Sequence, residues 1–327
     1  MTPSPSPPAG GTNASPQPHG DSIDFQPRKA AIIGVGLLGG SIGLALRRRW
    51  PSIEVFGSSR SEKKRQRALQ TGCVTTACED ERAACRDADL IFICTPVGLI
   101  AEKAIQLAAC CPEHALLTDV GSTKRKIVDT VESDARAAAK FVGSHPIAGG
   151  EKTGPEHATA DLFENKRVVV TPTERTAADR LTRTIALWQA LGAEVLQLSP
   201  SVHDDQLAGV SHATHFASCA VASILREDEI TLIGSGWRDT TRVAAGDPQM
   251  WSDIAAQNAA PITVRLRAIR QQLDALIDAI DAEDRDTLMR LLTAAQQLRQ
   301  CVPAPDSIRA PDSIPAPESA AETDSDA

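Results

Sequence analysis

Short apolar runs recur along the first two thirds of the chain, and longer stretches with helical spacing of apolar residues separate them. The runs cover residues 30–34, 53–57, 90–95, 115–119, 140–143 and 167–171. Apolar runs of four to six residues are typical of strands buried on both faces, and helices between them favour parallel pairing. The pattern therefore predicts an α/β fold built on a doubly wound parallel sheet.

Beyond residue 196 the strand pattern fades and apolar residues follow helical spacing. One stripe consists of Leu266, Ile269, Leu273, Leu276, Ile277 and Ile280, and a second of Leu288, Leu291, Leu292, Ala295 and Leu298. Steps of three and four place each set on one face of a helix. Such faces need a partner, either each other or a second subunit. We therefore predict an all-helical C-terminal domain that forms a homodimer.

Composition separates the two ends from the rest of the chain. Residues 1–27 and 302–327 are dominated by Pro, Ser, Gly and Ala, and Pro-Asp-Ser-Ile occurs at both 305–308 and 311–314. Segments with so few apolar side chains cannot offset the entropy lost on ordering, so we predict disorder in both tails. The folded part is then divided into an α/β domain at 28–196 and a helical domain at 197–301.

Charge and cysteine spacing narrow the classes of partner. The net charge is −8, but eight acidic side chains and only one arginine lie in the two tails, so the folded part is close to neutral. It has no excess of basic residues for neutralising phosphates, and we expect no nucleic-acid partner. The eight cysteines have neither CxxC spacing nor neighbouring histidines, so we expect no metal site.

The N-terminus has no apolar secretory segment, and the uncharged run 30–46 is shorter than the ~20 residues that span a bilayer. We therefore expect a cytoplasmic protein with no membrane partner.

Gly34, Gly36 and Gly39 form a GxGxxG turn between the run 30–34 and a helix predicted at 41–49. Glycines there allow a tight turn, close approach of a pyrophosphate and close packing of helix on strand, while Leu37 and Leu38 lie where helix N–H groups face a ligand. A packing turn rich in glycine has the same spacing. The strand before, the helix after and the strand about twenty residues on favour a Rossmann-type dinucleotide-binding domain over 28–196.

The end of the second strand distinguishes between the two nicotinamide cofactors. NAD-preferring sites usually carry an acidic residue there, whereas this chain has Ser58, Ser59 and Arg60. Hydroxyl groups and a guanidinium suit a 2′-phosphate, so we predict NADP in preference to NAD. If Arg60 is only a solvated loop residue, the enzyme uses either cofactor. Thr95 and Pro96, at the end of the run 90–95, are predicted to line the same site.

Three further segments carry candidate chemistry. Ser122 lies in DVGSTK after the run 115–119, and His145 lies in GSHPIAGGEKTG after the run 140–143. Carboxyl ends of parallel strands meet at one edge of a sheet, which is where ligands bind. A third segment, SHATH, opens the helical half with Ser211, His212 and His215.

These motifs make the chain from Arg28 to Cys301 resemble the prephenate and arogenate dehydrogenases. The matching segments are GVGLLGGS, DVGSTK, GSHPIAGGEKTG, SHATH and GWRDTTRVAAGDPQMW, in the family's order. The resemblance implies an oxidative decarboxylation in tyrosine biosynthesis. Hydride leaves ring C4 for the nicotinamide, the C4 hydroxyl loses its proton, and the ring carboxylate departs as carbon dioxide.

The resemblance also implies roles for individual residues. His145 accepts the hydrogen bond of the C4 hydroxyl, as a neutral imidazole does near physiological pH, and Ser122 orients the hydroxyl or the imidazole. Arg242 is implied to bind the substrate's side-chain carboxylate, and we hypothesise that Glu151 and Asp239 pair with Arg242 and orient it. The substrate-binding residues implied are Arg242, Ser211, His212, His215, Arg238 and Trp251. His215 has the alternative role of a buried hydrogen-bonding residue, and Trp251 that of core packing.

Some residues favour prephenate as the substrate and others favour arogenate. His215 favours prephenate, whose keto side chain it can contact, whereas the loop Ser58-Ser59-Arg60 resembles that of NADP-using arogenate enzymes. Ala213 and Thr214 replace a leucine-proline pair common in the family. Arogenate dehydrogenase or a dual-specificity cyclohexadienyl dehydrogenase is the alternative.

Two more distant classes of protein fit the sequence less well. A β-hydroxyacid dehydrogenase needs a helical lysine motif that we do not find. An NADP-sensing module does not need His145, Ser122 and Arg242 together.

Overall fold

The computed structural model describes residues 26–149 and 152–303. In these residues eight strands form one sheet in the order β3-β2-β1-β4-β5-β6-β7-β8. The strands are β1 (Lys29–Ile33), β2 (Glu54–Ser58), β3 (Thr76–Cys78), β4 (Leu90–Ile93), β5 (Leu116–Asp119), β6 (Phe141–Pro146), β7 (Arg167–Thr171) and β8 (Glu194–Gln197). The six runs predicted as strands are all strands, and β3 and β8 are additions to them. The predicted doubly wound fold is confirmed.

The last two strands, β7 and β8, run opposite to the others and so depart from the predicted parallel sheet. Strands β1 to β6 are mutually parallel, but β7 pairs antiparallel with β6, with His145 opposite Val169, and β8 is parallel to β7. A parallel pair needs a long crossover, usually a helix. The described part of the β6–β7 connection contains only the short 3₁₀ turn Pro155–His157, so the chain returns in the opposite direction.

Helices α1 to α7 cover the sheet, and α8 to α13 follow it. They are α1 (Leu37–Arg49), α2 (Glu62–Gln70), α3 (Glu81–Cys85), α4 (Ile100–Ala108), α5 (Arg125–Val131), α6 (Ala135–Ala138), α7 (Ala178–Ala190), α8 (Pro200–Leu207), α9 (Ala213–Ser223), α10 (Ser235–Thr241), α11 (Pro248–Gln257), α12 (Ala259–Asp281) and α13 (Arg285–Gln300). Helix α1 begins at Leu37, directly after the glycine turn, and not at residue 41 as predicted. A π-helical turn, Ala208–His212, joins α8 to α9.

Apolar side chains pack on both faces of the sheet, as expected for strands whose sequences are continuously apolar and do not alternate with polar residues. On one face Trp188 of α7 contacts Phe92 and Phe163 edge to face, with ring centroids 5.9 and 5.5 Å apart. On the other face Ile93 and Ile100 belong to a second buried cluster. Burial on both faces fixes the strands in the sheet and holds the carboxyl ends of β1 to β6 at one edge.

The two predicted apolar stripes lie on α12 and α13, which pack against each other. Their contact leaves part of each stripe uncovered in the single chain: Leu273, Ile277 and Ile280 on α12 are 54%, 52% and 59% exposed. Among the described residues no helix has the length and hydropathy to cross a membrane. The predicted disorder of the tails falls almost wholly on residues 1–25 and 304–327, outside the described part of the chain. The division at residues 196 and 197 stays a prediction about domains.

Candidate active site

A cleft of about 370 Å³ lies at the carboxyl ends of β1, β2 and β4. Seven predicted cofactor residues line it: Gly34, Gly36, Ser58, Ser59, Arg60, Thr95 and Pro96. Leu37 and Leu38 form the first turn of α1 beside it, and Gly39 is buried behind it. The sequence motif and the cleft therefore coincide.

The three glycines of the turn have different physical roles. Gly34 has φ +104°, and a Cβ on it would lie 2.5 Å from the carbonyl oxygen of Cys94. A Cβ on Gly39 would collide with the carbonyl oxygen of Gly34, so this glycine allows α1 to pack on β1. A Cβ on Gly36 would meet no atom within 4 Å. Packing therefore explains the first and third glycines, whereas the second keeps the cleft open for a ligand.

The β2 end of the cleft is rich in polar groups. The hydroxyl of Ser58 is buried and donates to the carbonyl oxygen of Glu79 at 3.3 Å, so it already has a partner. Arg60 is exposed at the rim. Lys64 and Lys103 also line the cleft, although the sequence analysis did not single them out. Lys64 increases the net positive charge at the site, whereas the charge of Lys103 is balanced by a carboxylate of the same lining.

Glu81, another residue of the lining, forms an ion pair with Lys103 at 2.6 Å. On the β4 side, the buried hydroxyl oxygen of Thr95 has no hydrogen-bond partner among the described residues. Buried polar atoms are normally satisfied, so this hydroxyl is suited to a ligand. The open face of the glycine turn, the helix N-terminus beside it and this hydroxyl fit a bound dinucleotide.

His145 lies near the end of β6, and its Nδ1 is 2.9 Å from Nε2 of His203, a residue of α8. Nδ1 of His203 is in turn 2.8 Å from Oδ1 of Asp204. The carboxylate of Asp204 also accepts the backbone N–H groups of Lys124 and Arg125, at 2.7 and 3.0 Å. The helical half of the chain thus contacts His145 through a line of hydrogen bonds.

A buried ion pair between Lys124 and Asp119 lies next to this line of hydrogen bonds, because the backbone N–H of Lys124 donates to Asp204. The ammonium of Lys124 donates to the carbonyl oxygen of Ser144 at 2.9 Å. The two oxygens of Asp119 accept the backbone N–H groups of Ser144 at 3.0 Å and Gly121 at 2.8 Å. The loop that carries Ser122 and the strand that carries His145 are therefore tied to the same pair of charges.

Burial holds the site histidines neutral. It is the main cause that lowers the pKa of His145 well below 6.5, and His203, Lys124 and His212 lower it further. Burial also lowers the pKa of His203 and brings that of His212 to about 4, although Asp204 opposes both shifts. A neutral imidazole has one nitrogen that accepts a hydrogen bond, which is what a general base requires.

The predicted substrate histidines are buried at the start of the helical half. His212 lies against the backbone of Ser122, and its Nδ1 is 3.2 Å from the side-chain nitrogen of Asn258. His215 stacks on Trp251 with ring centroids 3.6 Å apart and planes 7° from parallel. Burial lowers the pKa of His215 as well. The structure thus brings Ser122, His212, His215 and Trp251 to one side of the site.

The other predicted substrate residues are more accessible. Ser211 is half-buried, and both Arg238 and Arg242 are exposed. Arg242 begins the 3₁₀ turn Arg242–Ala245, which packs on α9, the helix that carries His215. Glu151 lies outside the described residues, so its pairing with Arg242 stays a prediction.

Three residues of the site, His203, Asp204 and Asn258, were not predicted from the sequence. Asn258 donates to the carbonyl oxygen of Asp204 at 2.7 Å and thereby joins the start of α12 to α8. The sequence feature that could have indicated His203 and Asp204 is a His-Asp pair in the first two turns of a predicted helix. Ser199 and Pro200 mark the start of that helix, with the serine as its N-cap. A pair of this kind has no distinctive spacing, so sequence alone did not single it out.

A dinucleotide-type cleft at the carboxyl ends of β1, β2 and β4, together with a histidine at the same edge of the sheet on β6, is typical of a dinucleotide-dependent dehydrogenase. The chain belongs to the prephenate dehydrogenase family. Residues 42–197 match the domain described as "Prephenate dehydrogenase, nucleotide-binding domain", and residues 199–294 match "Prephenate dehydrogenase, dimerization domain". The resemblance inferred from five motifs is confirmed.

Individual relatives agree with this assignment. The prephenate dehydrogenase of Bacillus subtilis (strain 168) is 30% identical over 279 residues, which cover 83% of this chain and 75% of the relative. The prephenate dehydrogenase of Aquifex aeolicus, solved with hydroxyphenyl propionate and NAD+, has a TM-score of 0.78 at 29% identity, covering 86% of this chain and 99% of that one. Synechocystis arogenate dehydrogenase has a TM-score of 0.70 at 31% identity, with coverage of 83% and 99%.

Proposed function

We propose that the protein oxidises and decarboxylates prephenate to 4-hydroxyphenylpyruvate, a step of tyrosine biosynthesis in the cytoplasm. The observation that carries the proposal is the contact of the His145 imidazole with His203, at the sheet edge that also carries the dinucleotide cleft. Burial lowers the pKa of His145, which favours its neutral form. Membership of the prephenate dehydrogenase family supports the reaction class.

The proposed reaction requires the protein to stabilise negative charge on the oxygen of the C4 hydroxyl. A bound nicotinamide dinucleotide supplies the acceptor for the hydride of ring C4. His145 accepts the hydrogen bond of the C4 hydroxyl, so that electron density grows on that oxygen as the hydride leaves. The C–CO2 bond then breaks, its electron pair completes the aromatic ring, and the proton held at the imidazole returns to the phenolate oxygen. Ser122 orients the hydroxyl or the imidazole.

The remaining substrate groups are anionic or polar. In the proposed complex Arg242 binds the side-chain carboxylate through charge-assisted hydrogen bonds, and Arg238 adds positive charge one helical turn away. Ser211 and His212 contribute further donors. Trp251 holds His215 in place by stacking, which makes the tryptophan a support for the pocket wall.

Prephenate is favoured over arogenate by the state of His215. A buried imidazole with a lowered pKa is a neutral hydrogen-bond donor that suits a keto oxygen, whereas arogenate carries an ammonium group there. The named relatives include both prephenate and arogenate dehydrogenases at similar identity. Arogenate, or use of both substrates, is the alternative. Values of kcat/KM for the two acids decide between them.

For the cofactor we propose NADP, with NAD as the alternative. Arg60 lies on the rim where the second strand ends without a carboxylate, and Lys64 lines the same cleft. These cations suit a 2′-phosphate. We expect Arg60→Ala to raise KM for NADP about tenfold, or ~1.4 kcal/mol, while KM for NAD stays within about twofold. An equal change in KM for both cofactors would show that Arg60 does not bind the 2′-phosphate of NADP.

We further propose that the protein is a homodimer through α12 and α13. The exposed apolar side chains on these helices support this, as does the match of residues 199–294 to a dimerization domain.

The test of the proposed reaction is turnover of prephenate with NADP, followed by the absorbance of the reduced nicotinamide and by release of carbon dioxide. His145→Asn should lower kcat by about 10²- to 10⁴-fold, the usual contribution of a general base. His114→Asn is the matched control, because His114 is an exposed histidine that bonds to Asp89 instead. Failure of the wild-type protein to turn over either acid with either cofactor would refute the proposal.

A further inference from the structure

We propose that Asp204 and His203 are positioning residues that fix the tautomer of His145, so that its Nδ1 carries the proton and its Nε2 is the bare acceptor. The hydrogen-bond line Asp204–His203–His145 carries this inference. The tautomer follows from that geometry when both rings are neutral, whereas its value for catalysis rests on the proposed function.

The carboxylate of Asp204 determines which atoms donate and which accept along this line of hydrogen bonds. Oδ1 of Asp204 accepts the backbone N–H of Lys124, and Oδ2 accepts that of Arg125, so the carboxylate faces the line as an acceptor. The 2.8 Å contact with His203 is therefore a bond in which Nδ1 of His203 donates. A neutral imidazole protonated at Nδ1 has a lone pair at Nε2.

The donor and acceptor of the hydrogen bond between His203 and His145 are then fixed. Because Nε2 of His203 accepts, Nδ1 of His145 must donate across the 2.9 Å contact. The imidazole of His145 thus keeps its proton on the nitrogen that faces His203. Its other nitrogen, Nε2, is left as the acceptor, which is the form that the hydroxyl of the substrate requires.

Both rings must be neutral for this argument, and burial favours that state. His203 is fully buried, and burial lowers the pKa of both histidines. A carboxylate that orients a neighbouring histidine has the same function in serine hydrolases, where the wrong tautomer costs ~10⁴ in kcat. Here a second imidazole lies between the carboxylate and the base.

The line also joins the two halves of the chain. His145 belongs to β6 of the sheet, whereas His203 and Asp204 belong to α8, 58 and 59 positions further along the sequence. The two rings meet edge to face with centroids 5.1 Å apart and planes at 68°. Docking of α8 on the sheet therefore sets both the orientation of His145 and the position of its proton.

Two variants of nearly equal size test the role of His203. In His203→Gln the carboxylate of Asp204 selects the amide N–H₂, which leaves the amide oxygen to accept from Nδ1 of His145. His203→Met fills the same space without an acceptor. We expect the glutamine variant to keep the tautomer and to retain kcat within about tenfold, and the methionine variant to lower kcat about 10²-fold with KM for the substrate little changed.

The decisive measurement is ¹⁵N NMR of the histidine rings in the ligand-free, full-length protein at neutral pH. The expected spectrum shows both His145 and His203 protonated at Nδ1 and bare at Nε2 in the wild type, and His145 losing this preference in His203→Met. A wild-type His145 protonated at Nε2 would overturn the inference, as would a methionine variant with unchanged tautomer and kcat. If His203→Met does not fold, the wild-type and glutamine spectra still decide.

This experiment separates the inference from the proposed function. The tautomer is read without any substrate, so an enzyme that ignores prephenate and arogenate leaves the tautomer assignment standing while the proposed function fails. The opposite result, turnover of prephenate by a protein with the other tautomer, refutes the positioning role alone.

Discussion

The glycine turn offers a pair of substitutions that separate cofactor binding from folding. Gly36→Ala adds a methyl group that meets no protein atom within 4 Å, at a backbone conformation (φ −101°, ψ −152°) that alanine also adopts. Replacing glycine at a compatible position reduces the entropy of the unfolded chain, so we expect the free energy of unfolding to rise by about 0.4–1 kcal/mol. The same methyl group points into the cleft, where we expect it to displace the pyrophosphate.

Gly39→Ala is the matched control for that variant. Its methyl group would collide with the carbonyl oxygen of Gly34, and the backbone there has no flexible end that can give way. Overpacking of this kind costs roughly 1–3 kcal/mol or more, so we expect Gly39→Ala to lower stability. The two alanines, three positions apart, should thus change stability in opposite directions.

The assay combines urea unfolding with calorimetric titration of NADP and NAD. For Gly36→Ala we expect at least a tenfold weaker Kd for both cofactors, or ~1.4 kcal/mol, together with unchanged or higher stability. Binding of both cofactors with the wild-type Kd would refute the reasoning that Gly36 keeps the cleft open for the pyrophosphate.

Two further predictions concern stability and assembly. Burial lowers the pKa of four histidines, so the unfolded state, with pKa values near ~6.5, binds more protons; stability is full above that pH and falls below it. For His212, whose pKa is about 4, this amounts to about 2 kcal/mol between about pH 7 and 5, and urea midpoints that do not fall over this range would contradict it. Leu273→Glu and Ile277→Glu on the uncovered stripe of α12 should convert a dimer to a monomer in sedimentation, whereas Arg267→Glu, an exposed charge on the same helix, tests for a general charge effect.

Local sequence determined the parts of the fold with strong short-range signals. Strand β4 and residues 30–33 of β1 are continuous apolar runs, and the glycine spacing defines the turn after β1. The three residues of β3 are too few to show a period, and β8 is a half-exposed edge strand of four residues. The direction of β7 depends on the absence of a crossover helix in the described part of its connection, which no apolar pattern within the strand reveals.

The sequence by itself identified His145 and the motifs around it, because a motif is a local arrangement of residues. Only the tertiary structure added His203 and Asp204. They lie in a different half of the chain, and their importance comes from hydrogen bonds that form when α8 docks on the end of β6. Sequence spacing records which side chains share one strand or helix. It does not record which elements meet, because long-range packing of the whole core decides that.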